Sequence, residues 1–155
     1  MIDSNVFMKA ALEEAEKAFA QNEVPVGAII VNRKTNEIIA RGHNIVEQEH
    51  NPLLHAEIVV INEACRITGS KNLSEYDMYV SLEPCNMCST AISLAKFGNL
   101  FYGASDQKQG SIENNTRFFT NKSCFHRPII YPGLSAEASI KIMQSFFRKI
   151  RSNSL

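Results

Sequence analysis

Apolar and polar positions change their period several times along the chain, and each change marks an element. From Asp3 or Ser4, either of which can cap a helix, Phe7, Ala11, Ala15 and Ala18 recur with Met8, Leu12 and Phe19 at helical spacing. The pattern runs to about Gln21, with Glu13, Glu14, Glu16 and Lys17 mostly on the outer side. Pro25 bars further helix and opens Val26-Gly27-Ala28-Ile29-Ile30-Val31, apolar on both faces as a buried central strand is. The polar turn Arg33-Lys34-Thr35-Asn36 then returns the chain as Glu37 to Arg41, predicted to pair antiparallel with the first strand. Gly42-His43-Asn44 leaves the sheet.

The clearest helix has Asn51 as cap, Pro52 in its first turn, a body from Leu53 to Thr68, and Gly69 just past its end. Glu75 to Leu82 reads as a strand. A helix opens at Cys85 and runs to near Phe97, with Gly98 as its stop, and Asn99 to Ala104 is a fourth strand. Ser105 to Arg127 is polar and aperiodic: a long loop with one turn of helix around Arg117 to Thr120. Ile129-Ile130-Tyr131 forms a short strand, and Ser135 caps a last helix with Ile140, Met143, Phe146 or Phe147, and Ile150 inward. Strand–helix alternation after an initial hairpin predicts one α/β domain over residues 1–155, with helices on both faces of a mixed sheet.

At 155 residues and 45% hydrophobic, the chain is long enough to bury a core. It has no apolar run of about eighteen residues, so no membrane-spanning helix and no membrane partner are expected. Met1-Ile2-Asp3-Ser4-Asn5 lacks the basic-then-apolar order of a secretory leader, which makes the expected location cytoplasmic. The formal net charge of zero says nothing for nucleic acid, but its distribution does. Residues 108–155 carry eight Lys and Arg against Glu113 and Glu137, leaving +6 there and −6 in the rest. A basic final third points to a polyanionic partner, although Arg148, Lys149 and Arg151 also suit a helix C-terminus.

The four cysteines do not read as two disulfides, because two of them sit as Cys85-x-x-Cys88 after Pro84 while Cys65 and Cys124 are scattered. That spacing belongs to a metal site in a reducing compartment. Cys65 reads as a small core residue of its helix, and Cys124 has no assigned role. Two thiols three apart at a helix start, with His55 from another helix, make a Cys₂His set. Three protein ligands leave the fourth tetrahedral position open, as catalytic Zn²⁺ sites do and structural ones do not. Glu57, two residues after His55, is a base placed where it can take a proton from metal-activated water.

His55-Ala56-Glu57 with Pro84-Cys85-Asn86-Met87-Cys88 resembles the H-x-E…P-C-x-x-C signature of the zinc-dependent nucleobase and nucleoside deaminases. Glu23-Val24-Pro25-Val26-Gly27-Ala28, Tyr79 to Cys85, and Gly103-Ala104 with Asp106, Lys108 and Gly110 resemble the bacterial tRNA adenosine deaminases, along most of the chain to Phe146-Phe147-Arg148. The resemblance implies a three-layer α/β/α cytidine-deaminase-like fold around a mixed five-stranded sheet. It also implies Zn²⁺ on His55, Cys85 and Cys88, Glu57 as the catalytic proton carrier, and a homodimer. The implied reaction is hydrolytic deamination of adenosine to inosine at the wobble position of a tRNA anticodon. By the same match Asn44 would hydrogen-bond the base, Val26 would pack on it, and Asp106 would lie near an RNA sugar. Capping, core packing and a turn are the plain alternatives for those three. Glu83 is left without a catalytic role. The apolar Ile92, Leu94 and Phe97 offer a possible dimer surface.

One stretch departs from the family: Ser111-Ile112-Glu113-Asn114-Asn115 stands where a small-residue run is usual after Gly110. The nearest competing activity is a free-base or nucleotide deaminase acting on guanine or cytosine, which shares the zinc chemistry. A zinc-stabilised RNA-binding module without catalysis would need a fourth ligand, for which Cys124 and His126 are the candidates.

Overall fold

The structure is a computed structural model that describes residues 3–154. Met1 and Ile2, where the segment read for a leader begins, and Leu155 at the far end of the 1–155 range, lie outside the described residues. Five strands form one sheet in the order β2-β1-β3-β4-β5: β1 (Gly27–Asn32), β2 (Ile38–His43), β3 (Tyr76–Leu82), β4 (Asn99–Ala104) and β5 (Ile129–Tyr131). β1 is antiparallel to both β2 and β3, whereas the β3/β4 and β4/β5 pairs are parallel. Helices α1 (Ser4–Ala20) and α4 (Ala136–Asn153) cover one face; α2 (Ala56–Thr68) and α3 (Asn86–Ala95) cover the other. This is the expected three-layer mixed-sheet α/β architecture.

The central strands carry apolar side chains on both faces because both faces are covered. Ala28 and Ile30 of β1, with Met78 and Val80 of β3, pack into the core under α2 and α3, while Ile29, Val31 and Tyr79 join Phe7 and Met8 of α1 on the opposite side. Each fully buried Ile contributes roughly 1.5–3 kcal/mol. An aromatic row crosses the sheet on the α1 side. Tyr79 and Phe101 stack at 4.3 Å between ring centroids, and Phe101 and Tyr131 at 4.6 Å, tying β3, β4 and the short β5 together. Gly27 lets α1 come this close, since a Cβ there would lie 2.0 Å from the Ala11 carbonyl oxygen.

Several boundaries and faces differ from the sequence expectation. The cap of α1 is not among them: Asp3, one of the two caps expected, accepts the Asn5 N–H at 3.0 Å. Glu14 is not on the outer side: it is buried, 3.1 Å from Lys17 Nζ and 3.3 Å from His43 Nδ1. α2 begins at Ala56 rather than Leu53, because Asn51 spends its side chain on the Leu53 N–H and His55 is extended (φ −67°, ψ 156°). Lys96 in the left-handed region (φ 65°) ends α3, where Gly98 was expected; Gly98 instead packs under the Arg33 guanidinium. Ser135 holds the N-cap position of α4 with φ 55° and makes no side-chain cap bond. Ile140 and Ile150 lie on the exposed part of α4, whose buried residues are Ser139 and Phe146. Of Ile92, Leu94 and Phe97, read as either dimer surface or core, Ile92 and Phe97 are core and Leu94 is exposed, at 76%.

Candidate active site

Two helix N-termini meet beyond the carboxyl end of β3. β3 ends at Leu82, and Glu83-Pro84 lead into Cys85, the N-cap of α3; His55 is the N-cap of α2. Neither cap residue bonds its own helix through its side chain, which leaves the imidazole and the thiol free to face each other. His55 Nδ1 lies 3.6 Å from Cys85 Sγ and 3.6 Å from Cys88 Sγ. The ligand atoms of all three lie within 4.8 Å of one another, and they form the metal-capable group found among the described residues. Cys124 and His126 do not join it. Cys124 Sγ faces the His126 carbonyl at 3.0 Å and Ser93 Oγ at 3.5 Å, and the His126 ring binds the Phe97 carbonyl. Cys65 is partly buried against the core of the α2 side.

The trio fits Zn²⁺ by size and by charge. With about 2.05 Å to nitrogen and about 2.3 Å to sulfur, the edge of a zinc tetrahedron between N and S is about 3.6 Å. The hydrogen bond with Cys88 is the main cause that lowers the Cys85 thiol to about 4, and His55 lowers it further. The same pairing, with burial and the nearby Glu57, drives Cys88 upward. Two adjacent thiols thus share one proton unless a cation lies between them, and both helix N-termini favour the ionised forms. The Cys85 hydrogen bond likewise raises His55 above its ordinary value.

Glu57 stands in the first turn of α2, 3% exposed. Burial is the main cause that pushes its carboxyl up to about 7, assisted by the negative Cys85 and opposed by its hydrogen bond to the backbone and by His55. Val26, Asn44, His55, Glu57, Cys85 and Asp106 open on one cavity of about 950 Å³, with Met143 and Phe147 of α4 on its apolar side. Asn44 is buried, and its Oδ1 accepts the Ala56 N–H at 2.7 Å, so it caps α2. That bond fixes the carboxamide orientation, and no acceptor among the described residues takes its Nδ2–H. Val26 is buried in the core on the cavity side, its carbonyl accepting the Asn44 N–H. Asp106 turns the rim by accepting the Lys108 and Gln109 N–H groups on Oδ1 at 3.1 and 3.2 Å.

Glu83 was assigned nothing from the sequence, yet it is buried under the 105–114 segment and accepts hydrogen bonds from it on both oxygens. Those donors hold its carboxyl below the ordinary glutamate value against the cost of burial. The visible signal was a lone acid between the apolar end of a strand and a proline. The expected long loop is therefore pinned, with its one helical turn at Phe118–Thr120.

Three comparisons show which known proteins the chain is similar to. The model of the cytidine and deoxycytidylate deaminase zinc-binding region matches residues 1–104. The tRNA-specific adenosine deaminase of Rickettsia bellii is 57% identical over 144 residues, covering 93% of this chain and 99% of that protein. That of Agrobacterium fabrum is 42% identical over 151 residues, covering 97% and 98%. A solved structure from a study of A-to-I editing by tRNA:A34 deaminases superposes with a TM-score of 0.86 at 43% identity, over 88% of this chain and 98% of the other. The chain belongs to the cytidine and deoxycytidylate deaminase family, among its tRNA-specific adenosine deaminases.

Proposed function

We propose that the protein is a zinc-dependent hydrolase that converts adenosine to inosine at the wobble position of a tRNA anticodon, releasing ammonia. The observation that carries this reading is the His55–Cys85–Cys88 trio at zinc spacing beside the buried Glu57, at the floor of a cavity of about 950 Å³. Support for adenosine in tRNA comes from the relatives, tRNA-specific adenosine deaminases along nearly their whole length.

His55, Cys85 and Cys88 would hold Zn²⁺, which supplies Lewis acidity that lowers the pKa of a water toward ~7. Glu57 does the proton work. Buried beside the trio and open to the cavity, its carboxyl is placed to take and give a proton at the reacting atoms. It takes one proton from the attacking water and delivers it to adenine N1, so that C6 becomes electrophilic; it then takes the second from the hydroxyl formed on C6 and passes it to the amine, which departs as ammonia while C6 becomes a carbonyl. Asn44, held by its bond to α2, offers its free Nδ2–H to the purine, and Val26 packs on the ring. A target base must leave its stack to reach such a floor, which an anticodon loop permits at little cost. Asp106 lies at the rim, where a sugar would pass.

The same reading includes a single domain acting in the cytoplasm and a homodimer, for which the exposed Leu94 and Phe125 offer apolar surface. No helix among the described residues is long and apolar enough to cross a membrane. The test is ammonia release from unmodified tRNA, free guanine and free cytosine side by side. Inosine in tRNA with negligible turnover of the bases is the expected result; faster turnover of guanine or cytosine would make this a free-base deaminase.

A further inference from the structure

Neither polar rim of the cavity is a regular element. One is the turn at 46–50 after β2; the other is the 105–115 segment after β4. Backbone N–H groups in such segments have no ladder to satisfy them and must find other acceptors. Here each rim is bonded to a buried carboxylate. Glu23, 1% exposed, accepts the Glu47 N–H on one oxygen at 2.9 Å and the Gln48 N–H on the other at 2.8 Å. Glu83, 2% exposed, accepts on Oε1 from Ser105 Oγ (3.2 Å), Asp106 N (3.0 Å) and Asn114 Nδ2 (2.7 Å). Its Oε2 accepts from the N–H groups of Ile112, Glu113 and Asn114 at 2.9, 3.0 and 3.3 Å. Gly110 makes room for this arrangement, since a Cβ there would stand 2.3 Å from Glu83 Cδ.

Every group set against these two side chains is a donor, and only an ionised carboxylate accepts on all sides. No Lys, Arg or His among the described residues forms a salt bridge with either one. The rims therefore supply the solvation of the two charges. Pulling a rim away would leave a buried anion without donors, which is strongly unfavourable. The deamination chemistry uses neither residue.

We infer that Glu23 and Glu83 are positioning residues that fix the two rims of the substrate entrance: Glu47 on one side, and Asp106, Lys108 and Gln109 on the other. The kinetic part of this inference rests on the proposed RNA-deaminase reading. A rim that visits its binding form only part of the time lowers apparent affinity by that fraction, while turnover at saturation is kept.

The experiment combines local hydrogen exchange with steady-state kinetics on the full-length, zinc-loaded protein, using an RNA stem-loop with adenosine at the first anticodon position. In Glu83→Gln, an amide group faces donors, and exchange at Asp106, Ile112, Glu113 and Asn114 should rise while Glu47 and Gln48 stay as they were. Glu23→Gln should give the reverse pattern. In both, KM should rise about tenfold, as for a rim competent about a tenth of the time, with kcat held within about threefold. Exchange rising evenly along the chain, or kcat falling at unchanged KM, would overturn the inference, because general loss of fold does that. If Glu83→Gln fails to fold, Asn114→Ala removes one Oε1 donor and reads the same rim; unchanged exchange and KM there would also overturn it. Wild-type protein that deaminates no RNA would sink the proposed substrate, whereas the exchange pattern would still decide the role of the two glutamates.

Discussion

His55 Nδ1 and Cys88 Sγ stand 3.6 Å apart, although 33 residues separate them in the chain. The distance is that of a zinc tetrahedron's edge. About one Zn²⁺ per chain is therefore expected, and Cys85→Ser or Cys88→Ser should each strip it. Metal analysis decides: full occupancy in both variants would remove the cysteines from the ligand set.

Glu57 is buried beside the ligand trio and opens on the cavity without belonging to the metal-capable group. Glu57→Gln keeps its shape and should retain zinc while activity falls by roughly 10²–10⁴-fold. Zinc lost together with activity would make Glu57 a ligand, and unchanged turnover would take it out of the chemistry.

The basic end of α4 is only partly free. Lys149 Nζ bonds Asn22 Oδ1 at 2.9 Å and lies over the Phe19 ring at 4.9 Å, whereas Arg148 and Arg151 are exposed. Each lost phosphate contact on a single strand reduces the magnitude of the log K against log salt slope by ~0.7. Replacing Arg148, Lys149 and Arg151 with Ala should flatten the slope for tRNA by up to ~2, with Lys149 contributing least. A slope unchanged in the triple variant would move the phosphate contacts to Lys108, Arg117 or Lys122.

Asp77 supplies a pH signature away from the metal site. Burial raises its carboxyl above 3.8, opposed by its bonds from Asn99 N (3.1 Å) and Asn99 Nδ2 (2.9 Å) and by Arg33 at 3.7 Å. The folded state thus binds the proton more tightly than the unfolded one, and stability falls as pH rises through the window above 3.8. Asp77→Asn keeps the acceptor and removes the titration. The melting temperature of the wild type relative to this variant should decline as pH rises through that window; a difference that grows with pH would contradict the sign.

The sheet and the ligand trio were legible because each rests on local pattern: two-faced apolar runs for β1 and β3, and fixed spacing for Cys85 and Cys88. The end of β2 was not, since Gly42 and His43, read as leaving the sheet, stay in it by pairing with Ala28 and Gly27. The start of α2 was not. Asn51 and Pro52 are sound helix openers, but Asn44, seven residues earlier in the chain, takes the Ala56 N–H and places the cap at His55. Glu14, Glu23 and Glu83 were illegible as buried residues for the same reason. A carboxylate is buried only when distant groups bring donors to it, and nothing adjacent in sequence announces them. Ile140 and Ile150 misled in the opposite sense, since helical spacing shows which residues share a face but not how far the sheet beneath it extends.

The meeting of His55 at the start of α2 with Cys85 at the start of α3 has a consequence for folding. His55 and Cys85 lie 30 residues apart, with β3 between them. A cation bound by both would close a ring of chain that contains the central strand of the sheet. Closing a flexible ring of that size costs about 3 kcal/mol of chain entropy, so an ion captured by the unfolded chain must overcome that cost first. In the folded chain α2 and α3, packed side by side on one face of the sheet, already hold His55 and Cys85 3.6 Å apart, so a cation bound there does not itself bear that cost.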